Sequence, residues 1–140
     1  MIKIAVVDDE TDQIEQIVKI VTDFFNQRKL SIEIDEFSDG ESLLNKDYSY
    51  DMIFLDIQMN GIDGIETAGI LRKKDKKTAL IYVSNYSEKM AVSFSVHPFA
   101  FIEKPVSIDK IHNNLQDYIE YIENFNKKRY FLFNLYHGGT

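Results

Sequence analysis

The sequence predicts an α/β protein, a doubly wound five-stranded parallel sheet of (βα)5 type. Three observations carry this. Five short apolar runs alternate with five longer amphipathic stretches. The 140 residues make about one domain, which buries roughly two-thirds of its unfolded surface. No internal repeat or low-complexity stretch interrupts the alternation, so right-handed crossovers place helices on both faces.

The elements follow in order. Ile2–Val7 is a short β-branched run ending in acids, the pattern of a buried parallel strand. Thr11 or Asp12 is the expected cap of the first helix, whose Ile14, Ile17, Val18, Val21, Phe24 and Phe25 recur at helical spacing. Leu30–Phe37 reads as the second strand, and Ser38-Asp39-Gly40 opens a short helix facing inward through Leu43 and Leu44. Asp51–Leu55 is the third strand, closed by Asp56, and the glycines of Ile57–Gly64 mark a loop. Ile65–Lys74 is the third helix, its basic end suited to the helix dipole and to a solvated face. Ala79–Val83, ending in Ser84, is the fourth strand, and Ser87–Val96 a weak fourth helix. Phe99–Ile102 is the fifth strand, followed by Glu103-Lys104-Pro105. Ser107 or Asp109 caps a long fifth helix striped by Ile108, Ile111, Leu115, Tyr118, Ile119 and Ile122. Tyr130–Tyr136 then reads as a strand, with a turn signal in His137-Gly138-Gly139.

Composition narrows the function classes. There is no cysteine, which excludes a disulfide framework, a zinc–thiolate site and a cysteine nucleophile. Apolar runs such as Ile4–Val7 fall far short of the ~20 residues of a membrane span. No signal-peptide core precedes Asp8, so a cytoplasmic protein without membrane contact is expected. Net charge is −7, yet residues 125–140 hold Lys127, Lys128 and Arg129 and no acid. The acidic body therefore does not bind DNA by its own field. The break near residue 125 marks a second element.

In a doubly wound sheet the site lies beyond the C-terminal ends of the strands. Those ends carry Asp8 and Asp9, Asp56, Ser84 and Lys104. Three crowded carboxylates repel one another, and an oxygen-only donor set points to Mg2+ or Mn2+. The cation leaves coordination positions open for phosphate oxygens. Lys104 adds positive charge and Ser84 a donor, so this reads as a phosphoryl site with a carboxylate acceptor. Taken singly, each residue has a bland alternative: a solvated strand end, a cap, a turn serine. The joint pattern favours the site.

Residues 2–124 resemble the receiver domain of two-component response regulators. The resemblance rests on Val6-Val7-Asp8-Asp9-Glu10, on Leu55 to Gly64 with Asp56 near its start, on Val83-Ser84, and on Phe101-Ile102-Glu103-Lys104-Pro105. It implies a flavodoxin-like sheet of order 2-1-3-4-5. Asp56 would be the phosphoacceptor. Asp9, Asp56 and the backbone carbonyl of Gln58 would ligate the metal, with Asp8 acting through water. Ser84 and Lys104 would bind phosphoryl oxygens, Lys104–Pro105 would be cis, and Ser84 with Phe101 would form the switch. Asn60 stands where many receivers have proline, and Ser84 where many have threonine. Gln58 and Tyr86 flank the site and would tune access of water.

The resemblance further implies a sensor histidine kinase as donor and homodimerisation on activation, through the surface of the fourth helix, fifth strand and fifth helix. His97 to Pro105 and Lys128 to Phe133 look like LytTR-type (AgrA-like) transcriptional regulators. On that reading residues 1–124 are the receiver. Residues 125–140 are a linker and the first strand of a truncated C-terminal LytTR-type DNA-binding domain, the only route to DNA. The domain would be a phosphoaccepting signalling domain, able to catalyse its own phosphorylation and dephosphorylation, rather than an enzyme.

Three rival readings make different demands on the sequence. A phosphatase of the haloacid dehalogenase type needs an acid where Gln58 stands, and a cap domain. A flavodoxin-like nucleotide binder needs a Gly- or Ser/Thr-rich phosphate loop after the first strand, where Asp8-Asp9-Glu10 would repel a phosphate unless a metal intervened, and no GxGxxG or P-loop pattern occurs. The third is a stand-alone or phosphorylation-independent (degenerate) receiver acting by protein–protein interaction; the presence of every residue that phosphorylation requires speaks against the degenerate form.

Overall fold

The computed structural model describes residues 1–85 and 96–136. Its strands are β1 (Ile2–Val7), β2 (Ile32–Phe37), β3 (Met52–Asp56), β4 (Ala79–Ser84) and β5 (Ala100–Glu103). They form one parallel sheet in the order β2-β1-β3-β4-β5. Around it lie α1 (Thr11–Gln27), α2 (Gly40–Asn45), α3 (Gly64–Lys74) and a C-terminal helix, Ile108–Tyr136. Most of the expected fourth helix, and Tyr86 with it, lies outside the described residues.

Every residue of β3 and β4 is buried, as a central strand covered on both faces requires. β2, at the edge, is only half-buried and turns Glu33 and Glu36 to solvent. Strand alternation divides the core in two. Ile4, Val6, Phe54 and Ile81 pack with α1 and the C-terminal helix. Ala5, Val7, Leu55 and Tyr82 pack with α2 and α3.

Asp39 and Asp63 cap α2 and α3, accepting from the Ser42 and Glu66 N–H groups at 2.7 and 2.8 Å. Ser107 Oγ does the same for the C-terminal helix, accepting from Lys110 N–H at 3.2 Å. For α1 the expected cap is corrected. The cap is Glu10, and it makes no side-chain capping bond. The Glu10 N–H donates to Asp8 Oδ1 at 2.9 Å, and this local turn starts the helix one residue before Thr11 can serve.

Two further expectations are corrected. Arg72 is not part of a solvated face. Its guanidinium donates to the carbonyls of Val96, Thr78, Asp75 and His97, so it clamps the start of β4 to the approach to β5. Residues 130–136 are not a strand but the end of the C-terminal helix. No glycine or proline breaks the chain between Val106 and Tyr136. Extending an existing helix adds a hydrogen bond per residue, whereas a lone strand needs a partner, and none is present among the described residues. Tyr130, Phe131, Phe133 and Leu135 consequently lie exposed on this helix. None of the described helices is long and apolar enough to cross a membrane.

Candidate functional site

The C-terminal ends of β1, β3 and β5 bring Asp8, Asp9, Asp56 and Lys104 to one edge of the sheet. Asp8 is fully buried, Asp56 nearly so, and Asp9 is exposed. One carboxylate oxygen from each of the three lies within 4.8 Å of the others. Lys104 Nζ stands 3.1 Å from Asp8 Oδ2 and 3.5 Å from Asp56 Oδ2. The Lys104–Pro105 peptide is cis, and the Lys104 N–H donates to the Ser84 carbonyl at 2.8 Å. This bond carries the β4–β5 ladder into the site and sets Lys104 beside Ser84.

Burial is the main cause that pushes the Asp56 carboxyl up to about 7, and the charge of Asp8 adds to it. Lys104 and the Gln58 backbone N–H oppose this incompletely, and Asp9 adds a smaller push upward. For Lys104, burial pulls the ammonium down, but Asp56, Asp8 and Glu10 together outweigh it and hold it above the ordinary lysine value. One cation thus faces more negative charge than it can neutralise. An all-oxygen donor set with unrelieved repulsion fits a hard divalent cation.

Ser84 is fully buried at the end of β4, opposite Glu103 in register. Phe101 is half-buried, lies beside Tyr82 in register and packs on the α2–α3 core. The Gln58 residue is exposed just after β3. The expected site residues therefore lie at one edge, with Lys104 just after β5 and Phe101 on that strand three residues earlier.

The sequence reading gave no part in the site to Glu41 or to the main-chain donors of the loop after β3. Asn60 N–H donates to Asp9 Oδ2 at 3.2 Å. Glu41, in the first turn of α2, accepts from Ile62 N–H at 3.0 Å. Gly64 closes the loop by donating to the Ile57 carbonyl at 2.7 Å. A Cβ on Gly64 would lie 2.1 Å from the Asp56 carbonyl oxygen, so only glycine fits there. That glycine was a visible signal. The two main-chain donors had none, because a backbone N–H leaves no mark on residue type.

Comparison with known proteins agrees with this geometry. Residues 4–116 match the response regulator receiver domain. The sensory transduction protein LytT of Bacillus subtilis is 26% identical over 123 residues, which cover 84% of this chain and 48% of that protein. LytT of Bacillus anthracis is 30% identical over 118 residues, covering 84% and 47%. The chain spans about half the length of these curated relatives. Among solved structures, the response regulatory domain of mrkE from Klebsiella pneumoniae superposes with a TM-score of 0.78 at 25% identity, covering 88% of this chain and 99% of that one. TrrA from Thermotoga maritima, in complex with Mg(2+)-BeF, gives 0.67 at 30% identity, covering 84% and 99%. On sequence match, sheet order and strand-end chemistry together, the chain belongs to the response regulator receiver domain family, and is the receiver of a two-component response regulator.

Proposed function

We propose that this receiver is a metal-dependent phosphorylation switch. The observation that carries the reading is the buried Asp56 carboxylate, set beside Asp8 and Asp9 and within 3.5 Å of Lys104. Asp9, Asp56 and the Gln58 carbonyl would hold Mg2+ (or Mn2+), with Asp8 acting through water. Bound there, the cation supplies charge neutralisation for phosphoryl oxygens.

A sensor histidine kinase presents phosphohistidine, or a small phosphodonor enters. An Asp56 carboxylate oxygen attacks phosphorus in line, a P–O bond forms, and the bond to the leaving group breaks, the imidazole nitrogen of the kinase or the oxygen of the small donor. Lys104 offsets charge on the transferred group. The Ser84 hydroxyl donates to a phosphoryl oxygen, and Phe101 follows Ser84 inward. The surface around β5 and the C-terminal helix changes with them. In this reading dimerisation is the output, and it positions C-terminal DNA-binding domains of LytTR type. The likeness to LytT over the receiver half supports that architecture.

The test is intact-mass analysis after incubation with acetyl phosphate, with and without Mg2+, for the wild type and Asp56→Asn. The expected result is a gain of one phosphoryl group that needs Mg2+ and is absent in the variant. If neither acetyl phosphate nor a phosphorylated histidine kinase adds mass, the receiver works without phosphorylation.

A further inference from the structure

Of the three carboxylates, Asp9 alone is exposed. Asp8 is pinned by Lys104 and the Glu10 N–H, and Asp56 by Lys104 and the Gln58 N–H. The hydrogen bond seen at the Asp9 side chain comes from the main chain of Asn60 at 3.2 Å. The loop presenting that amide is itself braced. Its base is closed by the Gly64 N–H on the Ile57 carbonyl. Its far side is tied to α2 by the Ile62 N–H on Glu41. Between these points Gly61 adopts φ 79° and lies flat against the Glu41 carboxylate, where a Cβ would come within 2.6 Å of Oε1.

We infer that the Asn60 backbone N–H is a positioning group that orients Asp9 for the divalent cation, and that Glu41 holds the loop from which it acts. The inference rests on the metal-dependent reading above and goes beyond it by assigning roles to two residues outside the ligand set. A carboxylate offers about four lone-pair sites, so Asp9 accepts the N–H and still ligates. Without the N–H, an exposed aspartate samples several rotamers and must be ordered when the cation arrives. Partners that orient a metal ligand typically contribute 10–100-fold in affinity, and an exposed ligand belongs at the low end, about tenfold.

The discriminating substitution is Asn60→Pro, which deletes the amide, against Asn60→Ala, which keeps it. Titration calorimetry with Mg2+ alone on the full chain should give about tenfold weaker binding for Asn60→Pro than for Asn60→Ala. Glu41→Ala should weaken binding by a smaller factor. Equal or tighter binding by Asn60→Pro would overturn the inference. A wild type that binds no Mg2+ would instead overturn the functional reading.

Amide exchange on the metal-free chain supplies the second readout. Asp9→Ala should accelerate exchange at Asn60 and leave Ile62 unchanged, and Glu41→Ala should accelerate Ile62. An Asn60 amide that exchanges as fast in the wild type as in Asp9→Ala would also overturn the inference, and this arm decides if Asn60→Pro does not fold.

Discussion

Lys104 and Asp8, 96 residues apart in sequence, meet at 3.1 Å with both side chains nearly shut off from solvent. Their strands are not neighbours, since β3 and β4 lie between β1 and β5. The ion pair therefore closes the edge of the sheet across the mouth of the site. It also makes Lys104 the internal counter-ion of a carboxylate cluster built to receive another cation.

Removing that counter-ion should be costly only while the cluster is charged. Breaking a buried pair costs about 3–5 kcal/mol, and protonation of Asp56 relieves part of it. Lys104→Met should lose about 2 kcal/mol in urea unfolding at pH 8 without metal. The loss should shrink at pH 6, and Mg2+ should restore part of it. A loss independent of both pH and Mg2+ would contradict this account.

Asp56 predicts the pH dependence of the metal-free domain. Its carboxyl is raised from 3.8 to about 7, chiefly by burial and then by Asp8. Between those values the folded state holds a proton that the unfolded chain has released. The stabilisation is therefore fully present below pH ~4 and is lost as pH rises through ~7. Asp56→Asn should remove this slope and stabilise the metal-free protein at pH 8 by on the order of 2–4 kcal/mol. Urea midpoints at pH 5 and 8 in chelator would measure it, and parallel slopes for the two proteins would contradict it. Mg2+ should then stabilise the wild type more than the variant.

Gly64→Ala should be among the most damaging single-methyl changes in the chain. The new Cβ would meet the Asp56 carbonyl oxygen at 2.1 Å and Ile57 Cα at 2.8 Å, both backbone atoms that cannot rotate away. A loss of more than about 3 kcal/mol is expected, with weaker Mg2+ binding in whatever fraction folds. By contrast, Gly69→Ala, where an added Cβ meets nothing within 4 Å, should be neutral or stabilising by up to about 1 kcal/mol. Denaturation of the pair gives the comparison directly.

Tyr82 carries a buried hydroxyl without a hydrogen-bond partner among the described residues. Burial pushes its phenol up to about 12. An unsatisfied buried hydroxyl costs about 1–3 kcal/mol, so Tyr82→Phe should stabilise the resting domain by about 1 kcal/mol. Because Tyr82 lies beside Phe101 in register, the same variant should also change the response to beryllofluoride, read as a shift in melting temperature. A destabilised variant would mean that the hydroxyl is satisfied.

The legible parts of the fold were those set by burial. β1, β3 and β4 read as strands because central parallel strands must be apolar on both faces. α1 read as a helix because its buried residues recur on one side, although Ile20, also buried, completes that stripe and was not singled out. The cap of α1 was not legible, because a backbone turn at Asp8 replaced the side-chain cap that residue type would announce. Residues 130–136 misled because a run of aromatics suits a strand, a buried helix or an unpaired helix end alike. With no partner strand among the described residues, the growing helix won.

For the site, sequence by itself determined the inventory. Residues ending parallel strands must gather at one edge, so the sequence alone brings Asp8, Asp9, Asp56, Ser84 and Lys104 together. Tertiary structure alone decided how they act on one another: Lys104 bridges Asp8 and Asp56, burial lifts the Asp56 carboxyl, and an Asn60 amide holds Asp9. The reason is physical. Strand order and polarity follow from hydrophobic pattern, which residue types encode. Desolvation, main-chain donors and the close approach at Gly64 arise only when segments distant in sequence are packed to within a few ångströms.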